Sequence, residues 1–169
     1  RSVVRASLTA GLSPAAGLTQ TNRLLCADST NGMFVTLFYT QLDPQKNELT
    51  YVNAGHNPPL HYRAKDKDLT ELKATGIMLG FTDMVVHKQR SVQIEPNDWV
   101  VIYTDGVTEA MDEQNEQFGE ERLRGVVLAQ CDQTPQEMLQ ALRQSVSAFV
   151  GNRNQSDDIT VVILKRTSP

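Results

Sequence analysis

Five consecutive apolar residues, Trp99-Val100-Val101-Ile102-Tyr103, lie between the turn-forming Glu95-Pro96-Asn97-Asp98 and the polar Thr104-Asp105-Gly106. A run this short, rich in β-branched and aromatic side chains, predicts a strand with apolar groups on both sides of the pleat. Such a strand belongs in the interior of a sheet, so the chain has to build layers around it.

The rest of the chain supplies those layers. Met33 to Tyr39 predicts another buried central strand. Asp43-Pro44-Gln45-Lys46-Asn47 predicts a turn leading into Leu49 to Val52, a hairpin. Leu60 to Arg63 and Leu69 to Leu72, parted by the charged Ala64-Lys65-Asp66-Lys67-Asp68, predict a second hairpin, and the run reads as an antiparallel meander. Val85 to Ile94 and Ile159 to Leu164 predict further strands. Residues 2–10 predict a helix, and Ser13-Pro14 starts another as N-cap and first helical residue, running to about Leu25 with Asn22 interrupting its apolar spacing. A helix of about ten residues is predicted from Phe118-Gly119. Thr134-Pro135-Gln136-Glu137 is a capping box ahead of the stripe Met138, Leu142, Val146 and Phe149, which Gly151 stops. Antiparallel strands with helices gathered at the beginning and end predict an α+β layered fold, with residues 1–169 as one domain.

Composition narrows the function. Sixteen Lys and Arg against 20 Asp and Glu give net −4, with no basic run, which argues against a nucleic-acid binder. No apolar stretch reaches the roughly 18 residues needed to cross a bilayer. Cys26 and Cys131 have no metal-ligand spacing and are expected to be reduced core thiols of a cytoplasmic protein. Residues 1–12 carry Arg1 and Arg5 without an apolar signal-peptide core, and the start without methionine suggests a domain cut from a longer chain.

Two places carry chemistry. Asp105-Gly106 follows the apolar strand and Asp157-Asp158 precedes the last one. If those strands are antiparallel neighbours, Asp105 and Asp157 meet at one rim, where hard carboxylate oxygens suit Mg²⁺ or Mn²⁺. Gly106 would let backbone approach closely. Equally, Asp-Gly is a common turn pair and Asp157-Asp158 a solvated strand cap, so both readings stand at this point. The second place is the turn Asn53-Ala54-Gly55-His56-Asn57-Pro58-Pro59, in which His56 either acts in a functional loop or merely holds the turn. His61 and His87 fall in strand-like stretches with no carboxylate at useful spacing and receive no role. No nucleophile elbow, phosphate-binding loop or dinucleotide fingerprint is present.

Taken together, Tyr103-Thr104-Asp105-Gly106-Val107-Thr108-Glu109-Ala110, the Asn53 to Pro59 loop, Phe118-Gly119 and Asp157-Asp158-Ile159-Thr160 resemble, in order and separation from about Phe34 to Leu164, the bacterial SpoIIE-like branch of the metal-dependent PPM serine/threonine phosphatases. The resemblance implies two stacked antiparallel sheets flanked by helices. It also implies hydrolysis of phosphoserine or phosphothreonine on a protein, with water activated between two Mn²⁺ or Mg²⁺ ions. By matching motifs, Asp105 and Asp157 would be metal ligands with Gly106 in the same loop, and Asp158 would orient Asp157 or bound water. Glu109 matches a further acidic ligand of related type 2C enzymes, and His56 falls in the loop corresponding to their Gly-Asp-Ser-Arg segment. The partner class implied is a small phosphorylated regulator such as an anti-sigma-factor antagonist, with a sensor or receiver domain upstream in the parent chain.

One departure accompanies the match. The family's Gly-Asp-x-x-Gly-His-Gly segment, whose aspartate bridges the metals, has no counterpart in this sequence. The expectation is a fold lacking its first strands, with weak metal binding and little activity, and a bared sheet edge that invites homodimers or strand exchange. A non-catalytic interaction or dimerisation module is the competing reading, and another metal-dependent phosphoester hydrolase acting on nucleotides is a third.

Overall fold

The computed structural model describes residues 2–9, 11–28, 32–153 and 157–167. In chain order the elements are α1 (Ser2–Thr9), α2 (Pro14–Asp28), β1 (Leu37–Asp43), β2 (Glu48–Ala54), β3 (Leu60–Arg63), β4 (Asp68–Glu71), β5 (Arg90–Gln93), β6 (Trp99–Tyr103), α3 (Asp105–Thr108), α4 (Gly119–Ala129), α5 (Pro135–Val150) and β7 (Val161–Lys165). The fold is α+β, with two antiparallel sheets and helices, as the sequence predicts. The chain forms two compact units, Arg1–Pro58 with Lys73–Gln93, and Pro59–Leu72 with Ile94–Pro169.

In the first unit the sheet order is β1-β2-β5. The β1–β2 hairpin runs in register from Leu37↔Ala54 to Asp43↔Glu48. Its turn is set by the Asp43 carboxylate, which accepts the N–H groups of Gln45 and Lys46 at 3.0 and 3.1 Å, and by Asn47 in the left-handed region. The central strand is β2, with Leu49, Val52 and Ala54 buried. β1 is therefore an outer strand, not the buried central one expected from Met33 to Tyr39. Met33, Phe34 and Val35 lie outside it and are half or more exposed, with Val35 bridging Leu79.

The strand expected over Val85 to Ile94 shortens to Arg90–Gln93 because the residues before it bond elsewhere. The His87 N–H donates to Thr19 Oγ1 at 3.0 Å, and Gln89 Oε1 accepts the Ala15 N–H at 3.2 Å. The His87 N–H committed to α2, and the Lys88 N–H that donates to the Thr75 carbonyl at 3.3 Å, are lost to the β2 ladder. His87 thus lies outside any strand, with its Nε2 3.0 Å from the Ile77 carbonyl. Nor does Asn22 interrupt the buried face of α2. It is fully buried, donating to the Thr82 carbonyl and accepting from the Gly80 N–H, both at 2.8 Å. A buried amide satisfied on both sides is as much a part of the core as a leucine.

The second unit carries the sheet β4-β3-β6-β7. Because β2 pairs with β5 and β3 with both β4 and β6, the expected single meander is two separate sheets. β6 occupies the interior position its apolar sequence demands, with Trp99, Val101 and Tyr103 at 2% exposure or less. Together with Leu60 and Tyr62 they meet Leu123 and Val127 of α4 and Met138, Leu142 and Val146 of α5 in one core. The Trp99 indole N–H donates to the Cys131 carbonyl at 2.8 Å. Cys131 and Cys26 are free and half-buried, less enclosed than the core thiols expected.

His61, given no role, proves to be 3% exposed with Nε2 3.4 Å from Asp98. Burial pushes its imidazole below the ordinary value, with the Asp98 carboxylate pulling the other way. Asp98 in turn accepts the N–H groups of Ala64 and Glu95.

The capping box forms as the sequence predicts. Thr134 Oγ1 accepts the Glu137 N–H at 3.3 Å, and the Glu137 carboxylate accepts the Thr134 N–H at 2.8 Å. Thr134→Ala removes one of these acceptors and is expected to cost about 1 kcal/mol of stability, read as a lower denaturant midpoint with an unchanged slope.

Candidate functional site

The rim is built by the pairing of β6 with β7, which runs antiparallel from Trp99↔Lys165 to Tyr103↔Val161. This is the neighbour relation on which the joining of Asp105 and Asp157 depended. Beyond the last ladder pair, Thr104 binds the two segments together. Its N–H donates to the Thr160 carbonyl at 3.1 Å, and its hydroxyl donates to the Asp158 carbonyl at 3.0 Å while accepting the Thr160 N–H at 2.9 Å. Sequence reasoning missed Thr104, and the signal was a hydroxyl residue directly after an apolar strand, able to continue the ladder with its side chain.

Gly106 fits here for lack of a side chain. A Cβ built on it would stand 2.5 Å from the Asp158 carbonyl oxygen, 3.1 Å from the Asp158 carbonyl carbon and 3.5 Å from that of Asp157. The neighbours are backbone, which cannot swing aside as a long side chain would. The two acidic segments therefore touch main chain to main chain.

Asp105 opens the four-residue helix α3, an element the sequence did not predict. Its Oδ1 accepts the Gly106 N–H at 3.0 Å, and its carbonyl accepts the Glu109 N–H at 2.7 Å. Asp157 Oδ1 accepts the Asp158 N–H at 2.7 Å. Asp105, Asp157, Asp158 and Glu109 are all exposed, with Glu109 at the C-terminal end of α3. Tyr103, one residue before Thr104, is pushed up to about 12, first by burial and then by Glu120 and Glu71, and so stays protonated at neutral pH. It offers no base to the rim.

His56 belongs to the first unit, where it helps to hold its turn. Its N–H donates to Asn53 Oδ1 at 2.9 Å, and its Nδ1 lies 3.5 Å from Thr36 Oγ1. Gly55 takes φ +71° and would place a Cβ 2.8 Å from the Met78 nitrogen. Phe118-Gly119 is architectural as well. Phe118 is 1% exposed and meets Phe149 edge-on at 5.6 Å.

Asp105 and Asp157 offer hard oxygens at an exposed rim, a donor set that fits Mg²⁺ or Mn²⁺, ions that often take one or two protein carboxylates and complete their shell with water. Among the described residues no group of three or more His, Cys, Asp or Glu is arranged to hold a metal ion. No helix among them is long and apolar enough to cross a membrane.

This α+β arrangement is that of PP2C-type phosphatase domains. It superimposes with a TM-score of 0.84 on the SiaA-PP2C domain of Pseudomonas aeruginosa, at 19% identity over 97% of this chain and 66% of that one. The manganese-presoaked phosphatase domain of SpoIIE from Bacillus subtilis gives 0.70 at 18% identity, over 99% of this chain and 72% of that one. More specifically, the chain belongs to the SpoIIE family, whose model, Stage II sporulation protein E, matches residues 1–167. It is 30% identical over 156 residues to the phosphoserine phosphatase RsbU of Bacillus subtilis (strain 168), an alignment covering 92% of this chain and 46% of RsbU. The chain thus spans about half the length of that relative.

Proposed function

We propose that this chain serves in the metal-dependent hydrolysis of phosphoserine or phosphothreonine on a regulatory protein in bacterial signalling, a partner of the anti-sigma-factor-antagonist kind. Family membership supports the reaction class, and RsbU, a relative at 30% identity, is a phosphoserine phosphatase. The observation that carries the reading is the backbone contact of Gly106 with Asp157-Asp158, which sets Asp105 and Asp157 on adjoining segments. A scaffold alone has no need of carboxylates at both strand ends.

Bound Mn²⁺ or Mg²⁺ would supply a lowered water pKa and neutralise charge on the transferring phosphoryl group. The protein's part is placement. Asp105 and Asp157 present the ligand oxygens, and the N–H groups of Gly106 and Asp158 fix the carboxylates from behind. Thr104 holds the Asp158 carbonyl and with it the approach of the two segments. Asp158 and Glu109 are further acidic groups for orienting water or a second ion.

The absence of a three-ligand cluster among the described residues favours, as a second reading, a phosphatase-like module that binds a phosphoprotein without turning it over. Titrating the 169-residue chain with Mn²⁺ by electron paramagnetic resonance, alongside phosphate release from a phosphoserine peptide, separates the two. Weak Mn²⁺ binding with slow, chelator-sensitive release is the expected result. Failure to bind Mn²⁺, or phosphopeptide binding with no release at saturating Mn²⁺, hands the case to the second reading.

A further inference from the structure

After Asp157 the chain is tied down by Thr104 and Gly106, which meet the Asp158 carbonyl. Before Asp157 it comes off α5, and a second tie stands at Arg153. Nη1 of Arg153 donates to the Asp112 carbonyl at 2.7 Å and to Asn115 Oδ1 at 2.8 Å.

What Arg153 grips is a small preformed hairpin. Met111 bridges Gln117, the Asp112 N–H donates to the Glu116 carbonyl at 3.0 Å, and the Phe118 N–H donates to the Ala110 carbonyl at 2.8 Å. Within the turn, Asp112 Oδ1 accepts the N–H groups of Gln114 and Glu116 at 2.9 and 2.8 Å. Asn115 takes φ 66°, and its N–H donates at 3.2 Å to the same Asp112 carbonyl that Arg153 holds. The hairpin begins at the buried Ala110, directly after Glu109, whose own N–H is bound by the Asp105 carbonyl. It is therefore a stiff continuation of the segment that carries Asp105. Arg153 and Asn115 are exposed, so water could replace these bonds at little cost and their return in stability is small. What they change is where the chain runs.

We infer that Arg153 is a positioning residue for the metal site, fastening the chain that leads into Asp157 onto the hairpin that follows Asp105. This rests on the reading of Asp105 and Asp157 as metal ligands. With residues 153 and 158 both anchored, Asp157 lies in a short closed span with little freedom to leave the rim. Geometry and charge make opposite demands here. Removing a cation from the neighbourhood of a divalent-ion site tightens metal binding through Coulomb's law, whereas removing an anchor that orients a ligand weakens it.

Two substitutions in the 169-residue chain use that opposition. Arg153→Gln drops the charge and the grip on both acceptors, and Asn115→Gly drops one acceptor while leaving Arg153 in place and φ 66° free of strain. Each is expected to weaken Mn²⁺ binding about tenfold by electron paramagnetic resonance. In metal-free protein each should also speed exchange of the Asp158 N–H, which donates to Asp157 Oδ1, about tenfold while the β6 amides keep their rates. Arg153→Lys, with the charge but without the planar fork, recovers part of both losses. Mn²⁺ binding that is unchanged or tighter in Arg153→Gln overturns the inference, as does an equal acceleration at β6, which makes Arg153 a residue of general stability. If the unsubstituted chain binds no Mn²⁺, the ligand reading falls by itself. The metal-free exchange at Asp158 then decides whether Arg153 places the segment, and an unchanged rate there overturns the inference.

Discussion

Replacing Asp105 by asparagine in the natural gene product lowers Mn²⁺-dependent phosphate release by on the order of a thousandfold and leaves the melting temperature nearly where it was. The size follows from the proposed role, since a metal contributes several kcal/mol of charge stabilisation at about 1.4 kcal/mol per decade of rate. Asparagine keeps the Oδ1 that accepts the Gly106 N–H, and the side chain is exposed, so the fold loses neither a hydrogen bond nor packing. What it loses is the negative charge and one hard ligand oxygen. Phosphate release and Mn²⁺ titration on the same preparation should therefore fall together, with the thermal transition as the control. A variant with full turnover would take Asp105 out of the mechanism, whatever its place at the rim.

The parts of this fold that are legible in sequence are those whose causes are local. The apolar run Trp99–Tyr103 carries its own demand for burial on both faces, and Thr134 with Glu137 carries its own cap. The Asp43 to Asn47 turn is written in an aspartate that accepts two nearby N–H groups and an asparagine that tolerates positive φ. Where partners are distant in sequence, local pattern misleads. Met33 to Val35 has the composition of a core strand, but it lies outside β1, bridging Leu79 at Val35 and otherwise exposed. Val85 to Gln89 reads as extended, yet His87 and Gln89 bond to α2 and the Lys88 N–H to the Thr75 carbonyl. Asn22 reads as a polar fault in a helix until Gly80 and Thr82, some sixty residues on, supply its partners.

The same division holds at the rim. That Asp105 and Asp157 belong to adjoining strands could be reasoned from the placement of two apolar strands and their ends. That Thr104 knots the segments, that Asp105 begins a helical turn, and that His61 answers to Asp98 could not, because each depends on a residue brought near only by the finished sheet.

Gly106→Ala separates placement from charge. The added methyl would fall 2.5 Å from the Asp158 carbonyl oxygen, closer than real Cβ contacts come, and 3.1 Å from the carbon behind it. That oxygen already accepts the Thr104 hydroxyl, so moving it breaks or stretches a bond that ties β6 to β7. Overpacking against backbone typically costs about 1–3 kcal/mol, and for a chain of this length each kcal/mol lowers the melting temperature by about 2–4 °C. Both acidic residues remain, with their charges intact, so a function resting on charge alone would survive. Because the methyl pushes the Asp157-Asp158 segment away from Asp105, Mn²⁺ binding should weaken about tenfold to a hundredfold along with the melting temperature, as when the partners that orient a metal ligand are disturbed. Thr104→Val, which removes the bond to the Asp158 carbonyl without adding bulk at Gly106, should move both readings in the same direction by less. If Gly106→Ala melts at the unsubstituted temperature and binds Mn²⁺ equally well, the close approach of the two segments is not what positions the carboxylates.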